Sequence, residues 1–227
     1  MARAKRPAPE ILDPQMLLGA YAQGYFPMAE ARTDKDVFWL NPDRRGIIPL
    51  DGFHLPKRLA RRMRSSDWRM TVDTAFARVI QACAEADRQG GKTWINPLIE
   101  RSYAQLHALG HAHSVEVWDG EVLIGGLYGV SLGAAFFGES MFSLTTDASK
   151  VALVHLVARM RAGGFKLLDT QFITDHLTQF GAVEVGRAAY QDLLREAVDG
   201  DADFYVLGGA GAAVLAGTVL QLTTQTS

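Results

Sequence analysis

The sequence SVEVWDGEVLIGGLY at residues 114–128 specifies the centre of the predicted sheet. Polar and apolar side chains alternate over residues 114–118, and this period of two predicts a half-buried strand. The pair Asp119-Gly120 comes next, and this dipeptide is the strongest short signal for a tight hairpin turn. A second strand-forming run follows at 121–128, so the sequence predicts an antiparallel hairpin in the middle of the chain.

Predicted helices and strands continue on both sides of this hairpin. Asp73 is a candidate cap for a helix that ends near Gly90-Gly91. Asn96-Pro97 begins a second helix, which Gly110 ends. After the hairpin the predicted elements are a strand at 134–139, a helix at 146–162, a strand at 165–172, and helices at 174–180 and 187–197.

The element order α-α-β-β-β-α-β-α predicts a mixed sheet with helices on its faces. The predicted fold class is α+β (mixed α/β), with the architecture of N-acetyltransferase-like (GNAT) folds. The first part of the chain differs, because it shows only a helix start at Asp13-Pro14 and short strands at 37–40 and 46–50. We therefore predict a small N-terminal domain over residues 1–52 and a GNAT-like domain over 53–227.

The composition is that of an ordinary globular protein. Of the 227 residues, 48% are apolar, and 23 Lys and Arg against 25 Asp and Glu leave a formal net charge of −2. This near-balance argues against a nucleic-acid binder that is basic over its whole surface, but it allows a local basic patch. Cys83 is the only cysteine and lies on an apolar helix face. The sequence therefore predicts a core thiol, no intrachain disulfide and no cysteine-based metal cage.

The sequence suggests neither export nor membrane insertion. Residues 1–10 are basic but lead into prolines instead of an apolar run. The weakly polar stretch at 206–222 is interrupted by glycines, so we expect a buried segment there instead of a spanning helix. We expect a soluble cytoplasmic protein.

A concentrated basic segment lies at residues 54–69, with six cations and one acid, Asp67. On a helix most of these cations occupy neighbouring positions. They form either an ordinary solvated face or a binding surface for a polyanion such as a tRNA acceptor stem. The six cations are Lys57, Arg58, Arg61, Arg62, Arg64 and Arg69.

The motif search yields no metal or cofactor site. His111 and His113 share a strand face, but no third candidate ligand lies at a spacing typical of metal sites, so a capping or surface role is favoured for both. The acetyl-CoA motif of GNAT folds has its nearest match at 161–166, where Lys166 replaces a small residue and the turn closes a helix instead of opening one. P-loop and nucleophile-elbow motifs do not occur. We therefore predict no cofactor and no metal.

Polar residues inside apolar strands are the candidate site residues. Asp169 and Gln171 point to the same face of the strand at 165–172. A charge there is costly unless it is paired or takes part in function. Asp169 therefore either accepts hydrogen bonds from nearby backbone N–H groups or takes part in the reaction. Glu139 ends another strand beside Gly138, where a bulge would re-aim a side chain.

Several longer motifs occur in order between residues 13 and 194: GYFP at 24–27, FWLNPD at 38–43, TWIN at 93–96, LGHAHSVEVW at 109–118, FGESMF at 137–142, and LDTQ at 168–171 with Asp175-His176. Together they resemble the leucyl/phenylalanyl-tRNA–protein transferase family. The resemblance implies a small N-terminal domain followed by a GNAT-like domain that uses aminoacyl-tRNA in place of coenzyme A. It also implies transfer of leucine or phenylalanine, and of methionine less well, to the α-amine of proteins that begin with Arg or Lys. That transfer marks the acceptor for N-degron proteolysis.

The resemblance also assigns roles to residues. The implied reaction is aminolysis of the activated ester at the tRNA 3′ end, without ATP or metal. Gln171 would touch the attacking amine, Asp169 would orient it or carry the acid–base step, and Glu139 would hold the cationic terminus of the acceptor.

Binding residues are implied in three groups. The aminoacyl-adenosine group consists of Trp39, Trp94, Tyr103 and Phe136. The pocket for the transferred side chain consists of Leu127, Leu156 and Met160, with Phe136 beside them. The tRNA backbone group consists of Lys57, Arg58, Arg61, Arg62 and Arg64. Periodicity alone favours a plain core role for Leu127, Leu156 and Met160.

This chain departs from the family pattern in places that bear on the site. Leu40 follows Trp39 where the family has a second tryptophan, so either position is a candidate for the adenine contact. Leu156 and Met160 stand where the family has aromatic residues. Phe136 and Glu139 fall on opposite strand faces by alternation, so both can face the site only with a bulge near Gly138.

Two other functions stay open. One is a related transferase that adds leucine to proteins beginning with Asp or Glu, and the other is a non-catalytic tRNA-binding or GNAT-like module. Carboxylates at the site, Glu139 and Asp169, favour a basic acceptor, and a binding module would not need the polar pair on the strand at 165–172. We expect a monomer.

Overall fold

The hairpin at the centre of the chain forms as predicted in the computed structural model, which describes residues 10–86, 93–214 and 216–224. Within these residues the strands are β1 (Phe26–Met28), β2 (Phe38–Leu40), β3 (Arg44–Ile48), β4 (Arg69–Val72), β5 (Ala112–Asp119), β6 (Val122–Leu132), β7 (Ala135–Ser143), β8 (Leu167–Gln171) and β9 (Val183–Gly186). The helices are α1 (Pro14–Ala22), α2 (Lys57–Ser65), α3 (Phe76–Glu85), α4 (Pro97–Ala108), α5 (Ala148–Ala162), α6 (Asp175–Thr178), α7 (Arg187–Val198) and α8 (Ala216–Thr224).

The hairpin strands β5 and β6 belong to a seven-stranded sheet of order β4-β5-β6-β7-β8-β3-β9, and β1 pairs with β2 separately. All neighbours in the large sheet are antiparallel except β7 and β8, which are parallel. A parallel pair needs a crossover connection, and α5 supplies it. The mixed sheet with its helices confirms the predicted α+β class, and the GNAT-like architecture stays a prediction.

Two apolar cores lie on opposite faces of this sheet. Neighbouring strand residues enter different cores: Leu127 belongs to the core that contains α5, and Tyr128 to the core that contains α3 and α4. This division follows from the period of two along a strand. All residues of α5 from 151 to 160 are buried, which is typical of a helix that packs on every side.

The caps predicted for α1 and α4 are present. Asp13 and Asn96 each accept a hydrogen bond from the backbone N–H three residues further on, at 2.9 and 2.8 Å. Gly110, with φ of 81°, follows the end of α4 in the left-handed conformation that glycine favours. The prediction for Asp73 is wrong, because the N-terminal cap of α3 is Ala75.

Asp73 instead ties β5 to its surroundings. Its carboxylate accepts hydrogen bonds from the Ser114 N–H at 2.7 Å, from Nδ1 of His113 at 2.8 Å and from the Tyr205 hydroxyl at 2.6 Å. Burial opposes the ionisation of Asp73, but the hydrogen bonds, led by that of His113, outweigh it and hold the pKa of the carboxyl below its usual value. His113 is therefore a buried structural residue, which corrects the predicted capping or surface role.

Three strands were not predicted, namely β1, β4 and β9, and β3 lies in an unexpected place. β4 and β9 form the two edges of the sheet, and each has four residues, too few for a clear alternation. β3 starts two residues before the predicted strand at 46–50 and lies inside the large sheet, between β8 and β9. The domain boundary after residue 52 stays a prediction, and the predicted helix end near Gly90-Gly91 lies outside the described residues.

The remaining burial predictions hold in part. Cys83 is fully buried, as predicted. In the C-terminal segment Val219 and Leu220 are buried, whereas Val206 is exposed, so the segment is only partly buried. Among the described residues, no helix combines the length and apolar character needed to cross a bilayer.

Candidate active site

A cavity of about 1110 Å³ lies at the ends of β7 and β8, beside β1, α3 and α6. Its polar lining includes residues of β7 and β8 together with side chains from α3, α5 and α6: Glu85, Glu139, Ser140, Ser143, Ser149, Thr170, Gln171, Thr174 and His176. A large apolar cavity with a few convergent polar groups is the usual form of a small-molecule site. Its apolar lining residues include Phe26, Met28, Trp94, Leu127, Met141, Phe142, Leu153 and Leu168.

Asp169 lies behind the cavity wall in a saturated network. It is fully buried and forms an ion pair with Arg45, whose Nε lies 2.9 Å from Oδ1 and whose Nη2 lies 2.7 Å from Oδ2. The Tyr190 hydroxyl donates to Oδ2 at 2.5 Å, and the backbone N–H of Gln171 donates to Oδ1 at 2.8 Å. Asp169 therefore acts on the cavity through Gln171, because every side of its carboxylate is already occupied.

Arg45 is fixed as firmly as its partner. Its guanidinium lies between the rings of Phe26 and Tyr190, 4.6 and 4.7 Å from their centroids, and Nη1 donates to the carbonyl of Gly24 at 2.9 Å. Burial opposes the charge of Arg45, but attraction by Asp169 outweighs it and raises the pKa of the guanidinium. Burial, and then the charge of Asp169, raises the pKa of Tyr190 far above its usual value. The network thus holds a buried ion pair.

Gln171 ends β8 in a strained conformation. Its φ of 57° lies in the left-handed region that residues other than glycine seldom adopt. The side chain is 6% exposed and lines the cavity, and its Nε2 has no hydrogen-bond partner among the described residues. A buried amide donor without a partner is costly, so its place at the cavity suits a group that bonds to a bound substrate.

Glu139 reaches the cavity from a β-bulge, as the sequence predicted near Gly138. Tyr128 pairs with Ser140 and Gly129 with Gly138, so Glu139 is the extra residue of β7. Its Oε1 accepts from the Tyr21 hydroxyl at 2.7 Å. Its Oε2 lies 3.3 Å from the Tyr103 hydroxyl, which also contacts the Tyr21 hydroxyl. Because Tyr21 donates its proton to Glu139, the single proton of Tyr103 is shared between these two contacts.

Burial perturbs the ionisation of this cluster. It raises the pKa of Glu139 to about 7, with a smaller contribution from the negative charge of Asp169, while the tyrosine hydroxyls and Arg45 act in the opposite direction. Burial and then the charge of Glu139 raise the pKa of both Tyr21 and Tyr103 well above the usual value. Glu139 is thus a cavity carboxyl that changes charge near neutral pH.

The structure places the predicted binding residues in different environments. Trp94 and Leu127 line the cavity. Trp39 is half-buried on β2, and Tyr103 is fully buried with its hydroxyl directed to Glu139. Phe136 does not line the cavity. The bulge inserts Glu139, which comes after Phe136, so the alternation of strand faces at Phe136 is unchanged. The ring of Phe136 stacks in the core, 5.8 Å from that of Phe204.

Leu156 and Met160 are buried in α5 and belong to the same core as Phe136. They do not line the cavity either, and its α5 lining consists of Ser149 and Leu153. The plain core position that periodicity favours for Leu156 and Met160 is what the structure shows.

The predicted tRNA residues form an exposed surface on α2, which we call the basic face. Leu59, Ala60 and Met63 bury the opposite side of the helix. Arg58 lies 3.7 Å from Asp147, and the guanidinium of Arg62 lies 4.8 Å from the ring centroid of Trp68. The basic face consists of Lys57, Arg58, Arg61, Arg62 and Arg64, and all five are exposed.

Sequence reasoning missed three residues of the site, namely Tyr21, Arg45 and Tyr190. Arg45 could have been found by the argument used for Asp169, since it is also a charge beside an apolar strand segment. For the two tyrosines, no local signal distinguishes a buried hydroxyl that holds a carboxylate from an ordinary core ring. Within the described parts of the chain, no three His, Cys, Asp or Glu residues are grouped to hold a metal ion.

An apolar cavity with an unsatisfied amide and a carboxyl of strongly shifted pKa is typical of an enzyme active site. A family model described as leucyl/phenylalanyl-tRNA protein transferase matches residues 47–195, and the model of that family's N-terminal domain matches residues 10–43. The chain therefore belongs to the leucyl/phenylalanyl-tRNA–protein transferase family, and it is an aminoacyltransferase.

Similar proteins agree with this assignment, and each is named leucyl/phenylalanyl-tRNA–protein transferase. The relative from Caulobacter vibrioides is 59% identical over 86% of this chain and 90% of its own length. The relative from Cereibacter sphaeroides is 58% identical over 86% of this chain and 90% of its own. The relative from Phenylobacterium zucineum is 57% identical over 95% of this chain and 98% of its own.

Proposed function

We propose that the protein transfers leucine or phenylalanine, and methionine less well, from aminoacyl-tRNA to the α-amine of proteins that begin with Arg or Lys. This transfer would mark the acceptor for N-degron proteolysis in the cytoplasm. The observation that carries the proposal is Gln171, whose unpartnered amide lines an apolar cavity and whose backbone is held by the buried Asp169. The carboxyl of Glu139, which lines the same cavity, supports a cationic acceptor.

The proposed reaction needs positioning more than activation. The ester that joins the amino acid to the tRNA ribose is already activated, and the acceptor α-amine has a usual pKa of about 7.7–8.0, so part of it is neutral near pH 7. The side-chain Oε1 of Gln171 would accept a hydrogen bond from the amine and align it, and the unpartnered Nε2–H would donate to an oxygen of the substrate. Asp169, Gln171 and Glu139 are the proposed catalytic group, with Asp169 acting as a positioning residue through Gln171.

The apolar part of the cavity supports a large aliphatic or aromatic donor side chain. Leu127, Leu153 and Leu168 provide non-directional contacts, which distinguish such side chains by only about 1–3 kcal/mol per methylene. Trp94, at the same cavity, is the proposed stacking partner of the terminal adenosine, and Trp39 lies outside the lining. Stacking of this kind contributes about 1–3 kcal/mol per base.

The basic face of α2 is the proposed surface for the tRNA backbone. Its five exposed cations are concentrated in a chain with a net charge of only −2, so the field is local. Each phosphate contact would make binding weaker as the salt concentration rises.

The test offers the purified protein and radiolabelled Leu-tRNA to peptides that differ only in their first residue: Arg, Lys, Asp or Ala. We expect label on the Arg and Lys peptides. Label on the Asp peptide alone would overturn the acceptor assignment and favour a leucyl transferase for acidic termini. Absence of label on every peptide would contradict the transfer of leucine itself.

A further inference from the structure

Glu139 is held by two tyrosines from separate helices. Tyr21 comes from α1 and Tyr103 from α4, and both are fully buried. The Tyr21 hydroxyl donates to Oε1 at 2.7 Å. The Tyr103 hydroxyl lies 3.3 Å from Oε2 and also contacts the Tyr21 hydroxyl, so its single proton serves both contacts. A substrate-binding carboxylate needs free lone pairs, and two hydrogen bonds still leave room for a third partner from the cavity.

Glu139 also lies next to the amide that would align the acceptor. β7 and β8 are parallel, with Phe137 paired to Asp169. Glu139 and Gln171 each follow this pair by two residues, and both line the same cavity. An amine bonded to Gln171 would therefore lie in the cavity that the carboxylate of Glu139 also lines.

We propose that Glu139 accepts the proton of the attacking α-ammonium group, and that Tyr21 and Tyr103 are positioning residues that hold its carboxylate for this transfer. The inference rests on the proposed function. Gln171 cannot serve as the acceptor of the proton because an amide is not a base, and Asp169 has no free side on its carboxylate.

The proton balance of the step is complete. The ammonium gives one proton to Glu139, and the neutral amine attacks the ester carbonyl to form the C–N bond. The bond between the carbonyl carbon and the ribose oxygen then breaks, and a second proton of the amine passes to that ribose oxygen. Glu139 afterwards releases its proton to solvent, so one proton leaves per peptide bond.

The charged surroundings of Glu139 support this role. Tyr21 on α1 and Tyr103 on α4 donate to it, Arg45 on β3 attracts its negative charge and Asp169 on β8 repels it. Burial dominates this balance and raises the pKa of Glu139 to about 7. That value is close to the usual α-amine pKa of about 7.7–8.0, so proton transfer between them is nearly balanced in free energy.

The test measures one ionisation in two ways. The first measurement is the carbon-13 NMR titration of the full-length protein labelled at glutamate carboxyl carbons, with the Glu139 signal assigned by its loss in Glu139→Gln. The second is the pH dependence of kcat for transfer of leucine to an Arg peptide at saturating Leu-tRNA. We expect the signal to titrate near pH 7 and kcat to fall as the pH drops through that value.

The tyrosine variants separate this role from a structural one. Tyr21→Phe and, as an independent second variant, Tyr103→Phe each remove a hydrogen bond that favours the ionised form. In each variant the NMR titration and the acid limb of kcat should therefore move together to higher pH, and they should move further in Tyr21→Phe, whose hydrogen bond is shorter. Tyr205→Phe, at Asp73, is the matched control and should move neither. The α-amine of the peptide is the same throughout, so a shift between variants belongs to the enzyme.

Glu139→Gln completes the test. Loss of a general base should lower kcat about 10²–10⁴-fold. The inference is overturned if Glu139 titrates at its usual value, if the NMR titration moves without the kcat profile, or if Glu139→Gln raises KM for the peptide and leaves kcat unchanged. Because wild-type transfer is measured in the same assay, a failure of the proposed function would be seen separately, as no transfer by the wild type.

Discussion

Replacing Arg45 by methionine should destabilise the protein severely, because it leaves the carboxylate of Asp169 buried without its counter-charge. Three N–H to oxygen contacts between 2.7 and 3.1 Å join the two side chains, and neither is more than 1% exposed. Breaking a buried pair by removing one partner costs about 3–5 kcal/mol. We expect a similar loss in Asp169→Asn, which leaves the guanidinium charge buried instead.

The double variant Arg45→Met/Asp169→Asn should be much less damaging than the sum of the two single variants. With both charges absent, no uncompensated ion remains in the core, and methionine still fills the space between two aromatic rings. We expect a coupling free energy of about 2–3 kcal/mol. The measurement is the free energy of unfolding in urea for the wild type, both single variants and the double variant.

Transfer activity should not recover together with stability. Asp169 holds the backbone of Gln171, and small displacements of a reacting group cost about a hundredfold in rate, so all three variants should have low kcat with nearly normal tRNA affinity. Arg44→Met is the matched control, since the Arg44 pair with Glu184 is exposed and contributes about 0–1 kcal/mol. If the double variant loses as much unfolding free energy as the two single variants together, the ion pair is not coupled. Full transfer by Asp169→Asn would show that Asp169 does not position Gln171.

Three further changes test other parts of the structure. Replacing Arg58, Arg61 and Arg62 by glutamine should raise KM for Leu-tRNA and reduce the slope of log KM against log salt by about 0.7–0.9 for each phosphate that the variant no longer neutralises. Gly46→Ala should lower kcat, measured by peptide transfer, because a Cβ there would lie 2.7 Å from the backbone that follows Gln171. The folded state holds the pKa of Asp73 below its usual value, so its stabilisation is present at neutral pH and is lost as the pH falls below about 5. In urea unfolding, Asp73→Asn should be less stable than the wild type at pH 7, and this difference should shrink at pH 3.

Each of these changes has its own control or contrary result. Arg195→Gln removes an exposed cation outside α2, and a change in salt slope as large as that of the triple variant would remove α2 from the tRNA surface. Gly186→Ala is the control for Gly46→Ala. It adds a Cβ with nothing within 4 Å and should leave kcat unchanged. A stability difference for Asp73→Asn that is the same at both pH values would show that its hydrogen bonds do not depend on ionisation.

Local sequence signals predicted those parts of the fold that depend on neighbouring residues. The hairpin at Asp119-Gly120, the cap at Asn96 and the bulge beside Gly138 each arise from turn, cap or backbone preferences of adjacent positions, and the structure shows all three. The edge strands β4 and β9 were missed because their pairing is decided by distant partners and their length is too short for a periodic signal.

The candidate site was predictable only in part, for a similar reason. Asp169, Gln171 and Glu139 were found because polar residues in apolar strands are costly, but their partners lie far away in the sequence. Arg45 is 124 residues from Asp169, and Tyr21 is 118 residues from Glu139. No local pattern specifies such pairs, so only the folded arrangement shows that one carboxylate is saturated and the other still has room for a substrate.

The N-terminal part of the chain makes the strained end of the sheet possible. Two irregularities lie on adjacent strands just after the Phe137–Asp169 pair: the bulge at Glu139 and the left-handed backbone of Gln171. The left-handed backbone is costly by itself, and each irregularity is held by a side chain from the first 45 residues. Tyr21 holds Glu139, and Arg45 holds Gln171 through Asp169. A cavity wall with an unsatisfied amide and a titratable carboxyl is stable here because these buried contacts over-determine it.

The cations of α2 do not take part in this network, since they are exposed. The small net charge of the chain therefore hides two separate features, a buried site whose charges are paired and an exposed basic surface. The site and the surface should respond independently to mutation and to salt.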